Sequence, residues 1–290
     1  MKSFKFPLNT GGKYHFVTAL KLEGRNYKYA IYKDRQGKKY FAKFWHTGLR
    51  RGMKRYLTNE INCLKYFSEN TTTILKEKFS IAKLVYYEIT PNVTFYMVEY
   101  IDGKPLSKFK EAKQSETLIL ALEFMNKFTI GRVEKKIFPS RSFAFYLLSF
   151  PYLFLKAVFN YPHKFTLLFK SLIKFYLFII LGGQRKDTLN HRDLNLENII
   201  VKGKVNYLID FQLAAITAPE FEYASIIRST VRNYNLTKKL MKKLKKSKLK
   251  SVSALNSFKA MLVYYSMMGL IDKKFNIKRT EDFLTVLDLV

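Results

Sequence analysis

"HRDLNLENII", residues 191–200, and "YLIDFQLAA", residues 207–215, decide how this chain is read. The first stretch sets Asp193 behind His191-Arg192 and places Asn198 five residues further on; the second ends an apolar run on Asp210. A lone acid in a loop is common and carries little meaning. Here three oxygen-bearing side chains follow one another at short, fixed offsets around runs of strand-forming residues, and the rest of the chain either supports that pattern or does not.

Working outward, the region before residue 102 reads as sheet. "YHFVTALKL" (14–22), "YKYAIYKD" (27–34) and "KKYFAKFW" (38–45) are rich in aromatic and β-branched residues and are separated by Gly-containing turns, as in an antiparallel meander. "AKLVYYEIT" (82–90) and "VTFYMVEYI" (93–101) flank the turn "PN" and add two more strands, five in all. Between the two groups, "MKRYLTNEINCLKYFSE" (53–69) brings Tyr56, Ile61, Leu64 and Phe67 together at helical spacing. "DGKP" (102–105) then breaks the pattern and marks a lobe boundary. Beyond it the chain turns helical: "SETLILALEFMNKF" from 115 lacks a full capping box but keeps helical periodicity. The expected division is therefore residues 1–101 as one lobe and 102–290 as a helical second lobe, with an apolar and basic helical insertion at about 132–187.

That insertion contains "SFAFYLLSFPYLFL" (142–155) and "FYLFIILGG" (175–183), with Lys156, Lys164, Lys170 and Lys174 between them. Its uncharged runs fall short of the roughly 18 residues of a membrane-spanning helix, so the expectation is a core helix pair or amphipathic helices in a membrane interface. Further on, "LTKKLMKKLKKSKLK" sets Leu236, Leu240 and Leu244 on one stripe amid lysines.

Composition bounds the rest. The chain of 290 residues has a formal charge of +30, with 48% hydrophobic and 16% aromatic residues. Such a chain has enough apolar material for a large core, and its field concentrates anionic partners: nucleic acid, acidic lipid or phosphorylated substrates. Cys63 is the single cysteine, which excludes an intramolecular disulfide and a cysteine-based zinc site, and its apolar helical context makes it a buried thiol. The basic N-terminus has no apolar core of a secretory signal, so the expected location is the cytoplasm.

Five landmarks now stand in order: Lys43 on the third strand, Glu60 on the first helix, "MVEYIDG", "HRDLNLEN" and "IDF". Over roughly residues 14–230 the chain resembles the protein-kinase-like superfamily, and "HRDLNLEN" meets every fixed position of that superfamily's catalytic loop. The resemblance implies an α+β two-lobed protein-kinase-like fold, with an antiparallel five-stranded sheet and one helix in the N-lobe and a mostly helical C-lobe. It implies ATP and Mg²⁺ as cofactors and transfer of a phosphoryl group to an alcohol. Asp193 would hold the acceptor hydroxyl, while Asn198 and Asp210 would ligate Mg²⁺, a hard cation that prefers oxygen. Lys43 would contact the nucleotide phosphates, held by Glu60, and Glu99, Tyr100 and Ile101 would offer backbone to adenine. Lys38 and Lys39 compete for the role of Lys43, but strand alternation and the neighbouring Ala42 favour Lys43. His191 is read as supporting the loop.

The departures are informative. "LEGRNYK" carries only Gly24 where protein kinases have a Gly-rich loop, and Gln212 stands at the third position of the D-F-G triplet. "APE" at 218–220 follows Asp210 too closely to close a peptide-docking segment and is read as coincidence. The short segment and "FEYASIIRS", with its acidic residue opening a helix, resemble the small-molecule branch: aminoglycoside phosphotransferases, choline kinases and, nearest, lipopolysaccharide core kinases. The expected acceptor is a sugar or lipid-linked glycan at a membrane surface, with 142–181 and 238–250 as possible contacts to the anionic inner face. The eight lysines of 238–250 favour such contact, since each is worth on the order of 1 kcal/mol near an anionic bilayer. A protein serine/threonine kinase and a catalytically silent kinase-like binding module are the alternatives. RNA is the rival use of the charge, and no nucleic-acid motif supports it.

Overall fold

In the computed structural model, the described residues are 6–7, 9–10, 12–21, 27–70, 78–128, 137–141, 143–182 and 188–271. The Gly24 loop and residues 132–136, 142 and 183–187 of the expected insertion lie outside them. The chain forms two compact units, one of residues 1–105 with 198–214, the other of 106–197 with 215–290.

The first unit is built on strands β1 (Asn9–Thr10), β2 (Tyr14–Leu20), β3 (Lys28–Lys33) and β4 (Lys39–His46) and helix α1 (Gly52–Asn70). It continues with β5 (Phe79–Ile81), β6 (Leu84–Ile89), β7 (Val93–Glu99) and β8 (Lys104–Pro105). Its main sheet runs β1-β2-β3-β4-β7-β6, antiparallel throughout. This corrects the expected five strands to six, because the two-residue β1 is too short to show any periodicity. Alternation sorts the two faces. Tyr32, Tyr40, Ala42, Phe44, Phe95 and Met97 fill one side, where Phe44 stacks on Phe95 with ring centroids 4.7 Å apart. Lys43, one residue out of phase, points to the side that α1 covers.

The second unit opens with α2 (Glu111–Asn126), α3 (Phe143–Asn160), α4 (Phe165–Gly182) and β9 (Thr188–Asn190). Helix α2 starts a turn earlier than its apolar periodicity indicates, at the N-cap Lys110, which offers no side-chain cap. The chain then returns to the first unit with β10 (Ile199–Lys202) and β11 (Val205–Leu208), which join β5 and β8 in a four-stranded sheet. Gly103 permits that joining: a Cβ there would lie 2.7 Å from both the Val201 carbonyl and Ile200 Cγ2. The second unit closes with β12 (Ala215–Thr217), α5 (Pro219–Thr230), α6 (Tyr234–Ser247) and α7 (Val252–Ile271). The "APE" triplet is a helix start, with Pro219 in the first turn of α5.

Helix α7 is buried over most of its length, and α3, α4 and α5 pack on it. Phe150 of α3 stacks on Phe175 of α4 at 3.8 Å, beside Tyr264 of α7. The stretch 142–181 is longer and more continuous than its uncharged runs suggest. Both α3 and α4 are long and apolar enough to cross a membrane by length and composition, yet only 22% and 28% of those windows is buried. The helices simply continue through Lys156, Lys170 and Lys174, each a single charge on a long apolar stem. Cys63 is fully buried on α1, and burial lifts its thiol well above the usual range.

Candidate active site

In the first unit, alternation on β4 aims Lys43 at α1, where helical spacing presents Glu60. Lys43 Nζ donates to Glu60 Oε2 at 2.8 Å and to Asp210 Oδ1 at 2.8 Å. Of the three competing lysines, this one alone is buried, at 4% exposure; Lys38 instead pairs with Glu99 on the surface at 2.7 Å. Burial opposes the Lys43 ammonium, but the Glu60 and Asp210 carboxylates outweigh it and hold the group charged well above the ordinary lysine range. Burial lifts Glu60, while Lys43 and a hydrogen bond from Tyr96 act to lower it. Tyr96 is the direct cross-strand partner of Lys43, so the sheet register delivers that hydroxyl. Tyr27 closes the cluster: Lys43 Nζ lies 4.7 Å from its ring centroid, and its hydroxyl donates to the Met53 carbonyl at 2.9 Å.

The β10–β11 hairpin supplies the remaining oxygens. Its register pairs Ile199 with Leu208, so Asn198 and Asp210 flank its open end, tied by the Ile209 N–H donating to the Asn198 carbonyl at 3.1 Å. Asp210 takes the left-handed conformation, φ +66°, uncommon for a residue other than glycine and typical of strained functional positions. Two residues on, Gln212 Nε2 lies 3.5 Å from Asp210 Oδ2. The segment is held from α1, where the buried Asn59 donates to the Ala214 carbonyl at 2.9 Å and the Gln212 carbonyl at 3.1 Å. Phe211 is buried against Phe67 of α1, ring centroids 5.0 Å apart. Among the described residues no cluster of three His, Cys, Asp or Glu side chains forms. The pair of Asp210 and Asn198 offers oxygen donors only, a set that would suit Mg²⁺, which is commonly bound by one or two protein oxygens together with substrate phosphates and water. Glu99, Tyr100 and Ile101 follow β7: the Glu99 N–H donates to the Lys83 carbonyl and the Tyr100 N–H to the Lys39 carbonyl.

Asp193 belongs to the second unit and has its own supports there. His191 is fully buried, and Arg192 takes φ +63°. The Arg192 N–H donates to Glu222 Oε2 of α5 at 2.8 Å, and Ser225 Oγ donates to the Arg192 carbonyl at 3.2 Å. Asn190 donates to the Thr217 and Ala218 carbonyls at 2.9 and 3.1 Å, fixing the strand that feeds the loop. Burial raises the Glu222 carboxyl, with His191 and the Arg192 N–H acting to lower it.

The structure thus brings Lys43, Glu60 and Asp210 into direct contact, sets Asn198 and Asp210 at the open end of one hairpin, and keeps Asp193 on a separately braced loop. Residues not singled out from the sequence are Tyr27, Asn59, Tyr96 and Glu222. Of these only Glu222 left a signal, as one of the acids opening the helix after "IDF".

Residues 17–237, from β2 into α6, match the phosphotransferase enzyme family. Among solved structures, a thermostable aminoglycoside phosphotransferase APH(4)-Ia with ADP and hygromycin B superposes with a TM-score of 0.63 at 11% identity, covering 95% of this chain and 93% of its own. An aminoglycoside phosphotransferase from Alicyclobacillus acidocaldarius gives 0.61 at 14% identity, over 100% and 93%. Plasmodium vivax ethanolamine kinase gives 0.58 at 15%, over 94% and 81%. No curated protein matches. A family match spanning most of the sequence, on a fold shared with kinases of small molecules, makes this chain a member of the phosphotransferase enzyme family.

Proposed function

We propose that this chain transfers the γ-phosphoryl group of ATP to a hydroxyl of a sugar or lipid-linked glycan, at the cytoplasmic face of a membrane. The observation that carries the reading is Lys43 held between Glu60 and Asp210, each at 2.8 Å, with Asn198 across the open end of the hairpin that leads to Asp210. Residues 1–101 would bind the nucleotide, with Glu99, Tyr100 and Ile101 against adenine and Lys43 on its phosphates. Mg²⁺, when bound, neutralises phosphate charge, and Asp210 and Asn198 would hold it. Asp193 would accept the acceptor's proton as the acceptor oxygen bonds to the γ-phosphorus and the bond to the β-phosphate oxygen breaks. Glu60 keeps the Lys43 ammonium in place, and Asn59 ties down the carbonyls of Gln212 and Ala214 that follow Asp210. The acceptor class draws support from the short segment after Asp210 and from structural neighbours named as kinases of ethanolamine and of aminoglycosides.

A thermal-shift titration with ATP and Mg²⁺, separately and together, tests the nucleotide half. A ligand that binds only the folded state raises its melting temperature by mass action. Wild type should shift most with both present, and Asp210→Asn should lose the metal-dependent part; no shift under any condition would remove the reading. Transfer of labelled phosphate to a panel of glycans, with a peptide library as control, tests the acceptor half.

A further inference from the structure

We propose that the outward face of the α3–α4 hairpin seats in the interfacial layer of an anionic lipid bilayer. The inference rests on the membrane-surface reading above and gives it a named docking surface. Both helices are apolar over most of their circumference, with lysine their only charged residue, and such a helix in water calls for burial on most of its sides. Only one stripe of each is buried. In α3, Tyr146, Phe150, Leu153 and Ala157 face the core; in α4, Leu168, Phe175 and Ile179 do. The opposite stripes are open: Phe145, Leu148, Tyr152, Leu155 and Phe159 recur every three or four residues, with Leu148 77% and Phe159 87% exposed. Phe165, Phe169, Ile173, Leu177 and Ile180 do the same on α4. Together these side chains expose on the order of 1,000 Å², above the few hundred Å² of the largest patch on an ordinary monomer.

Charge identifies what covers the face. Between Glu134 and Asp187 the sequence holds no acidic residue, while Lys156, Lys164, Lys170 and Lys174 lie on the hairpin. An apolar hairpin whose own charges are all cations complements an anionic surface over an apolar layer. Lys156 already lies over the Tyr152 ring at 4.6 Å and Lys259 over Phe178 at 5.0 Å, cations carried on long stems beside rings. The hairpin is also built to survive a dry environment at its one interruption. Pro151 removes the N–H that would serve the Leu147 carbonyl, and Tyr176 of α4 donates its hydroxyl to that oxygen at 3.3 Å. The inner stripes stay on α7, so the helices lie in the plane of the membrane instead of crossing it.

The basic helix α6 turns its apolar stripe inward and leaves its lysines as what it could offer a membrane. Its Leu236, Leu240 and Leu244 stripe is fully buried, and Lys239 and Lys248 pair with Glu111 and Glu123 of α2 at 3.3 and 3.5 Å. It has no apolar face to insert and offers a bilayer long-range charge only.

The test is flotation of the full chain with vesicles of phosphatidylcholine alone and of phosphatidylcholine mixed with phosphatidylglycerol, at low and high salt. Wild type should float with the mixed vesicles and keep part of that binding at high salt. Leu148→Asp/Phe159→Asp, at the two most exposed apolar sites of α3, should fold normally and lose roughly tenfold or more of the binding. It should keep the ATP- and Mg²⁺-dependent thermal shift, whereas Asp193→Ala should float like wild type. Loss of transfer chemistry and loss of docking are thereby read separately. Absence of wild-type flotation, or unchanged flotation of the double variant, would overturn the proposal. So would sedimentation velocity showing a wild-type dimer that the double variant splits, since the face would then belong to a second copy.

Discussion

Two regions of this molecule depart from ordinary burial in opposite directions. Around Lys43 the fold hides charge: an ammonium and the Glu60 carboxylate sit almost without solvent, with side-chain exposures of 5% and 2%. Along α3 and α4 it leaves aromatic and aliphatic side chains open to solvent. Each arrangement costs stability when taken alone. Burying a charge pair seldom gains over an apolar pair of the same volume, and exposed apolar surface forfeits the main driving force for folding. The contrast teaches where to look for function: the complements proposed above are phosphate and metal for the first region and a lipid surface for the second.

The comparison can be broken first at the chemistry. Asp193→Ala should cut phosphoryl transfer by about 10²–10⁴-fold or more while leaving the melting temperature nearly unchanged. Equal turnover in the variant would remove Asp193 from the mechanism. Next comes the buried charge. Lys43→Met leaves two carboxylates facing each other and should destabilise the fold by about 3–5 kcal/mol in denaturant titrations; adding Glu60→Leu should recover part of that. The pH dependence follows from the sign of the shift. A raised lysine pKa contributes stability that is complete below the ordinary value, about 10.4, and is lost as pH rises through the folded-state value. This group therefore leaves wild-type stability flat between roughly pH 7 and 9 and makes it fall in strong alkali, a fall that Lys43→Met should lack.

A smaller effect is expected at Asn59. Asn59→Ala strands buried carbonyls and should cost about 1–3 kcal/mol, with faster amide exchange confined to residues 211–214 as the sign that the segment has come loose from α1. The smallest concerns α6. Replacing Lys239 and Lys248 with Gln should change stability by less than about 1 kcal/mol, because both pairs are partly exposed to water. Its vesicle flotation should fall at low salt only; an equal fall at high salt would give α6 an apolar contact that its buried leucines do not provide.

The first unit was largely legible before any coordinates because its strands alternate and its turns carry Gly, Pro and Asn. The same two-residue period separated Lys43 from Lys38, whereas Lys39 shares the face of Lys43 and differs in lying at the exposed end of β4. Asn198 and Asp210 were visible because their spacing is set by a single short hairpin, a local object. Asn59, Tyr27 and Tyr96 were not visible: their roles depend on which strand and which carbonyls the fold sets beside them, and no periodicity records that. The capless start of α2 at Lys110 hid a helical turn for the same reason. On α3 and α4 the difficulty was reversed, since helices apolar over most of their circumference carry no pattern to distinguish the stripe on α7 from the stripe in solvent.

The solitary Cys63 has a practical consequence. Its sulfur is enclosed in α1 and kept protonated by its surroundings, so the native chain presents no thiolate to maleimides, iodoacetamides or mild oxidants. A cysteine introduced at an exposed position would be the single reactive handle on an otherwise silent background. A polarity-sensitive dye at position 148 or 159 and a spin label beside Asp193 could then be attached without first removing any natural residue, one site per preparation.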